Sequence, residues 1–146
     1  MRLFVYTPGF AGEQHLEAVL RANNMDYALG WANTQGAEGC DRVIVQSRDP
    51  IECVLEEYSH KGYTQPLSVD LVAQRLAQYE HMTAQHTHEL YSINDGYSTR
   101  TLYREDYIKP QQWARSIGAE LVPQLTTPQF EITIPNAQEI RAYLSK

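Results

Sequence analysis

An α+β fold is predicted from three observations. The run RLFVYT (Arg2 to Thr7) is short, apolar and rich in β-formers, and so reads as a first strand buried on both faces. Apolar residues then recur at helical spacing, first at Leu16, Val19 and Leu20 and later at Ile51, Val54, Leu55 and Tyr58. Turn chemistry separates these runs, at Pro8-Gly9, Asn23-Asn24 and Gly36 to Asp41. A chain of 146 residues is long enough for one ordinary domain with a real core. Residues 1–66 are expected to form one unit and residues 67–146 an extension packed on it, within one compact domain.

The elements follow in order. Glu13 to Ala22 is a helix with one apolar stripe, stopped by Asn23-Asn24. Met25 to Thr34 is a second strand and Arg42 to Ser47 a third. Asp49 then stands at an N-cap, Pro50 at the first helical position and Glu52 two residues later, so a helix runs to about His60 with Gly62 behind it. YTQPL, from Tyr63, is a short fourth strand that Pro66 confines to an edge or an end. Ser68 caps a helix from Val69 to about Met82. HTHELYSINDGYSTRTLYRE is expected to be a hairpin, its turn at Asn94, Asp95 and Gly96. A short helix over Lys109 to Gly118, a strand at Phe130 to Ile134 and a closing helix capped by Asn136 complete the chain.

Twelve Lys and Arg against eighteen Asp and Glu leave a net charge of -6, which argues against a protein that lives on nucleic-acid phosphates. The excess lies in residues 1–70, with five basic and ten acidic side chains; residues 71–146 hold seven and eight. Cys40 and Cys53 form no CxxC pair, and a spaced pair of this kind suits a reducing compartment, with a disulfide between them left open. No run approaches the roughly 20 apolar residues of a membrane span, and MRLFVYT lacks the parts of a signal peptide. A cytoplasmic protein with no membrane partner is expected.

Strand, helix, strand, strand, helix, strand over residues 2–66 is the order of a ferredoxin-like βαββαβ unit, here extended by a helix, a β-hairpin and a C-terminal strand and helix. Within it, Pro8-Gly9, Met25-Asp26-Tyr27, Asp49-Pro50, Leu55, Gly62 and Tyr63 resemble the motifs of ACT domains, small amino-acid-sensing modules. The resemblance covers under half of the chain. It implies an amino acid or related metabolite bound at a subunit interface of a homo-oligomer, against the backbone of the Pro-Gly turn. Asp26 replaces the Asn usual in that family, and the stripe from Leu16 starts a residue or two late.

Two further stretches carry weaker resemblances. LFVYTPGFAG, with Tyr6 and Gly12, looks like the first strand and loop of gamma-glutamylcyclotransferases, and Glu80 after LAQY falls in a helix as that family's catalytic glutamate does. Thr7 stands where that family has a glycine. HTHELYSINDGYSTRTL is similar to the late hairpin of phage-type S-adenosylmethionine lyases. Either likeness implies a small metabolite-cleaving enzyme; the first implies Glu80 and Tyr6 as its acid-base groups, while the second assigns no catalytic residues in this sequence.

Candidate chemistry gathers at four places. The turn formed by Thr7, Pro8, Gly9, Phe10 and Gly12 either presents helix amides to an anionic ligand or only changes the chain's direction; Asp26 joins this ligand set through the ACT resemblance. His86 and His88, if extended, project from one face and reach one metal ion, flanked by His81, Glu80 and Glu89. Tyr91, Tyr97 and Tyr103 with Arg100 form either an ordinary hairpin face or an interface for a protein partner. Glu80 is the carboxylate with a defined place. The leading expectation is a small-metabolite-binding protein, its ligand amino-acid or nucleoside-like, with no cofactor. The alternatives are the cleaving enzyme and a compact acidic inhibitor or adaptor, of phage origin or otherwise.

Overall fold

The computed structural model describes residues 2–93, 98–102, 115, 117–121 and 132–146. Its elements are β1 (Arg2–Thr7), α1 (Glu13–Ala22), β2 (Asp26–Trp31), a 3-10 turn (Ala37–Gly39), β3 (Arg42–Ser47), α2 (Pro50–His60), α3 (Val69–Ile93), β4 (Ser98–Leu102) and α4 (Ala137–Leu144). The local signals of the first 60 residues are realised. The Asp49 carboxylate accepts the Ile51 amide at 2.9 Å, and Pro50 opens the helix without forfeiting a bond.

Both helices and strands are present, as expected, but their arrangement differs from the ferredoxin-like expectation. The four strands among the described residues are parallel, in the order β2-β1-β3-β4. A ferredoxin-like unit pairs its second and third strands as an antiparallel hairpin. Here β2 pairs with β1, in register from Arg2 with Asp26 to Thr7 with Trp31, and β3 takes the opposite side of β1. The cause is the connection over residues 32–41, which returns across the sheet through the 3-10 turn. Asp41 docks its end beside β1, its amide donating to the Arg2 carbonyl while its carboxylate accepts the Arg2 amide at 2.8 Å. A tight hairpin allows no such crossing.

Helical layers cover both faces of the sheet. Leu3, Val5 and Ile44 pack with Leu16, Val19 and Leu20 of α1, while Phe4, Tyr6, Val43 and Val45 pack with Ala37, Cys40 and Leu90 on the other side. Burial on both faces explains why β1 and β3 read as continuous apolar runs. A further cluster joins Ala11 of the turn after β1 to Val54, Leu55 and Tyr58 of α2, Val72 and Tyr79 of α3, and Ile140 of α4. Two forked ion pairs brace these helices, Glu57 with Arg75 and Glu52 with Arg141.

Several expected elements change. α3 continues through Ile93, so residues 86–93 are not a hairpin arm, and β4 is a parallel strand beside β3. The hydroxyls of Thr83 and Thr87 bond back to the carbonyls four residues earlier, and Leu90 is buried against the sheet; packing overrides the strand-like composition. Residues 63–67 form no strand, nor do residues 132–134. Asn136 precedes α4 without a side-chain cap, because its amide group clamps Leu67, accepting from that residue's N–H and donating to its carbonyl. Cys40 and Cys53 are not joined by a disulfide and are buried in different clusters. The expected Asn94 to Gly96 turn and most of the Lys109 to Gly118 helix lie outside the described residues. Among the described residues no helix is long and apolar enough to cross a membrane.

Candidate functional site

In this strand order the chain leaves β1 toward β2 through α1, and leaves β3 toward β4 through α2 and α3. The carboxyl ends of β1 and β3 therefore flank a switch point, where open parallel sheets leave a crevice for ligands. A cleft of about 510 Å³ opens there. One wall is Pro8 after β1 with Ser47, Arg48 and Pro50 after β3. The other is a single face of α3, from Tyr79 and Glu80 through Thr83, Ala84, Thr87 and His88 to Tyr91. Those positions recur at three- and four-residue steps, which puts them on one side of a helix.

The turn from Thr7 to Gly12 forms the floor beside the cleft, and its polar groups point inward. The Gly9 amide donates to the Thr7 hydroxyl at 3.1 Å; the Ala11 amide and the Thr7 hydroxyl both donate to the buried Glu13 carboxylate at 2.9 Å. Three side chains hold its carbonyls: the Tyr79 hydroxyl donates to Gly9, the Arg48 guanidinium to Phe10 and the Gln46 amide to Ala11. Two of the amides expected to face an anion thus already have partners. Glu13 supplies from within the carboxylate that a ligand was expected to bring.

Strain marks the same turn. Phe10 adopts φ 56°, as does Ala32 at 52°, a region that side chains other than Gly seldom occupy. Gly9, at φ 103°, meets a second demand, because a Cβ there lies 3.2 Å from the Trp31 ring. Trp31, about half exposed, stands edge-on to Phe10 at 5.7 Å, and Phe10 in turn touches His60 at 5.6 Å. Sequence reasoning missed this aromatic cluster, whose members come from three separate segments.

The other expected site residues are scattered. Glu80 is exposed on the cleft wall and has no hydrogen-bond or ion-pair partner among the described residues. Tyr6 is buried behind that wall, its hydroxyl 2.8 Å from His86 Nδ1, and burial pushes its phenol up to about 12. Burial also raises Tyr79, which keeps its proton for Gly9. Asp26 begins β2 at the opposite end of the sheet from the turn, so it is no part of this site. His86 and His88 are not extended; two residues apart on α3 they diverge by roughly 200°. Among the described residues no three metal-ligating side chains converge. Tyr91 is about half exposed at the end of the cleft, while Tyr97, Tyr103 and the Arg100 side chain lie outside the described residues.

No family model, curated protein or solved structure matches the chain. The geometry of the cleft therefore has to carry the chemistry. Arg48 is almost fully buried, its guanidinium held by the Phe10 carbonyl at 2.7 Å and ion-paired with Glu56 at 3.3 Å, so its charge in that wall is fixed and compensated. The α3 wall carries Glu80, His88 and Tyr91 beside the hydroxyls of Thr83 and Thr87, which donate to the Tyr79 and Thr83 carbonyls. Ser47, Arg48, Thr83 and Thr87 were not picked out from the sequence. A parallel reading of the sheet would have singled out the first two, since they follow the carboxyl end of β3.

Proposed function

We propose that the protein binds a small polar metabolite, of amino-acid or nucleoside type, in the cleft between the ends of β1 and β3 and the outer face of α3. The observation that carries this is the cleft itself: about 510 Å³ lies within the usual size of a small-molecule site and coincides with the switch point of a parallel sheet. Apolar walls at Pro8, Pro50 and Ala84 suit the body of such a ligand, and the polar groups between them suit its ends. The amino-acid sensing that the ACT resemblance implies is kept in this reading, moved from the turn's amides to the cleft. A homo-oligomer through β2 finds support in Leu29 and Trp31, large apolar side chains exposed on that strand.

Thermal unfolding with pooled amino acids and nucleosides tests the proposal. Ligands that stabilise the wild type are expected to lose that effect in Ala84→Trp, whose indole fills the cleft from the surface of α3. Equal shifts in both proteins, or none in either, refute it.

The enzyme alternative is favoured by one observation, the Glu80 carboxylate exposed on the cleft wall without a partner among the described residues. Its test is product formation from S-adenosylmethionine or gamma-glutamyl compounds by the wild type and not by Glu80→Gln. Tyr6 has no part in that version, because it sits behind the wall with His86.

A further inference from the structure

We infer that the cleft takes a planar, uncharged ring inward and leaves the charged or hydroxyl-bearing end of its ligand at the rim. This rests on the cleft being the ligand site and names the part of the ligand that enters first. The face of α3 that lines the cleft divides into two stripes of different depth. Tyr79, Thr83 and Thr87 are buried or half-buried, whereas Glu80, Ala84, His88 and Tyr91 are exposed. At about 100° per residue the first three fall within roughly 80° of the helix, and the other four in the sector beside it. Depth follows from position on the helix. On the strand side Pro8 is buried and Pro50 half-buried, so two proline rings close the inner part opposite α3.

The inner polar groups are committed to the protein itself. Tyr79 donates its hydroxyl hydrogen to the Gly9 carbonyl at 2.9 Å, Thr83 to the Tyr79 carbonyl at 2.8 Å and Thr87 to the Thr83 carbonyl at 2.7 Å. The Thr83 hydroxyl also meets that of Tyr6 from behind the wall. Ser47 is engaged within the protein as well, and Glu56 compensates the charge of Arg48 at 3.3 Å. A charged group entering there sheds its water and meets no uncompensated opposite charge among the described lining residues, whereas an uncharged ring gains by leaving water. The rim has the opposite character. Glu80 accepts there, and His88 and Tyr91 can both donate. It therefore serves the zwitterionic end of an amino acid or the ribose of a nucleoside, with the side-chain ring or the base inside.

Calorimetry on the full chain with two pairs of equally shaped probes tests the inference, one pair for each source of ring. 4-Ethyl-L-phenylalanine and 4-aminomethyl-L-phenylalanine differ by a charge at the far tip of the side-chain ring, and N6-propyladenosine and N6-(2-aminoethyl)adenosine by a charge at the far edge of the base. In at least one pair the uncharged member is expected to bind about tenfold tighter or more. Saturation-transfer NMR of that member is expected to show its ring protons closer to the protein than those of its amino-acid backbone or ribose. Both signals are expected to vanish in Ala84→Trp. Equal affinities within each binding pair, or stronger saturation at the polar end, overturn the inference while leaving the cleft as the ligand site, provided Ala84→Trp abolishes binding. Binding that survives Ala84→Trp overturns the inference and the cleft reading together. If none of the four compounds binds up to millimolar concentration the inference is overturned, and the thermal screen with pooled amino acids and nucleosides decides whether the cleft reading falls with it.

Discussion

Tyr79 donates its phenolic hydrogen to the Gly9 carbonyl at 2.9 Å, joining the middle of α3 to the turn after β1 across 70 positions of sequence. Both partners are buried, so the bond decides how the turn sits against the cleft wall. We predict that Tyr79→Phe destabilises the protein by about 1–2 kcal/mol, because the Gly9 carbonyl loses its donor inside the core. Urea unfolding measures the loss, and an unchanged midpoint would show that water replaces the phenol.

Gly30 and Gly39 make a paired prediction. A Cβ at Gly30 collides with the Asn33 carbonyl oxygen and the Phe4 ring, whereas one at Gly39 meets nothing within 4 Å. Gly30→Ala is expected to cost about 2 kcal/mol or more through overpacking, and Gly39→Ala to stay within about 0.5 kcal/mol of wild type. Thermal unfolding of the two variants separates them; comparable melting temperatures refute the packing of β2 described here.

Acid stability is expected to depend on one ion pair between helices. The Arg75 guanidinium, with help from Lys61, holds the Glu57 carboxyl below its ordinary 4.5. A carboxylate depressed in the folded state stabilises above its unfolded value, and that contribution disappears as pH falls through the folded one. Stability is therefore predicted to drop below about pH 4.5. Arg75→Met should flatten that part of the profile, measured by urea unfolding at several acidic pH values, and an unaltered slope counts against the pair.

Tyr6 leads to the opposite expectation at high pH. Burial raises its phenol from 10.0 to about 12, so its contribution is intact below 10 and is lost as pH climbs through 12. Ultraviolet difference titration of wild type against Tyr6→Phe isolates this group. A transition at the ordinary phenol value would mean that the hydroxyl is not held behind the α3 wall.

Much of the first 60 residues was legible because its signals are local. The α1 stripe of Leu16, Val19 and Leu20, the β3 run from Arg42 to Ser47, and the Asp49-Pro50 cap each lie within one element, where spacing and cap chemistry act directly. Thr7 to Gly12 was also recognisable as a turn with something to hold. What it holds was not, since Glu13, Gln46, Arg48 and Tyr79 reach it from four elements or junctions. Glu80 was found and its neighbours Thr83 and Thr87 were not, because nothing in their spacing shows that their hydroxyls spend their hydrogens on the helix backbone.

By itself the sequence determined where β1, α1, β3 and α2 form, and that helices and strands share one chain. Only the tertiary structure decided that β2 lies beside β1 and not beside β3, that α3 runs through residues 86–93, and that Asp26 is at the wrong end of the sheet for the turn. The physical reason is the range of the interactions. Periodicity and capping act within a few residues, whereas strand order rests on contacts such as Arg2 with Asp41, and the length of α3 on Leu90 meeting the face of Phe4 and Tyr6. The cleft exists only once both are in place.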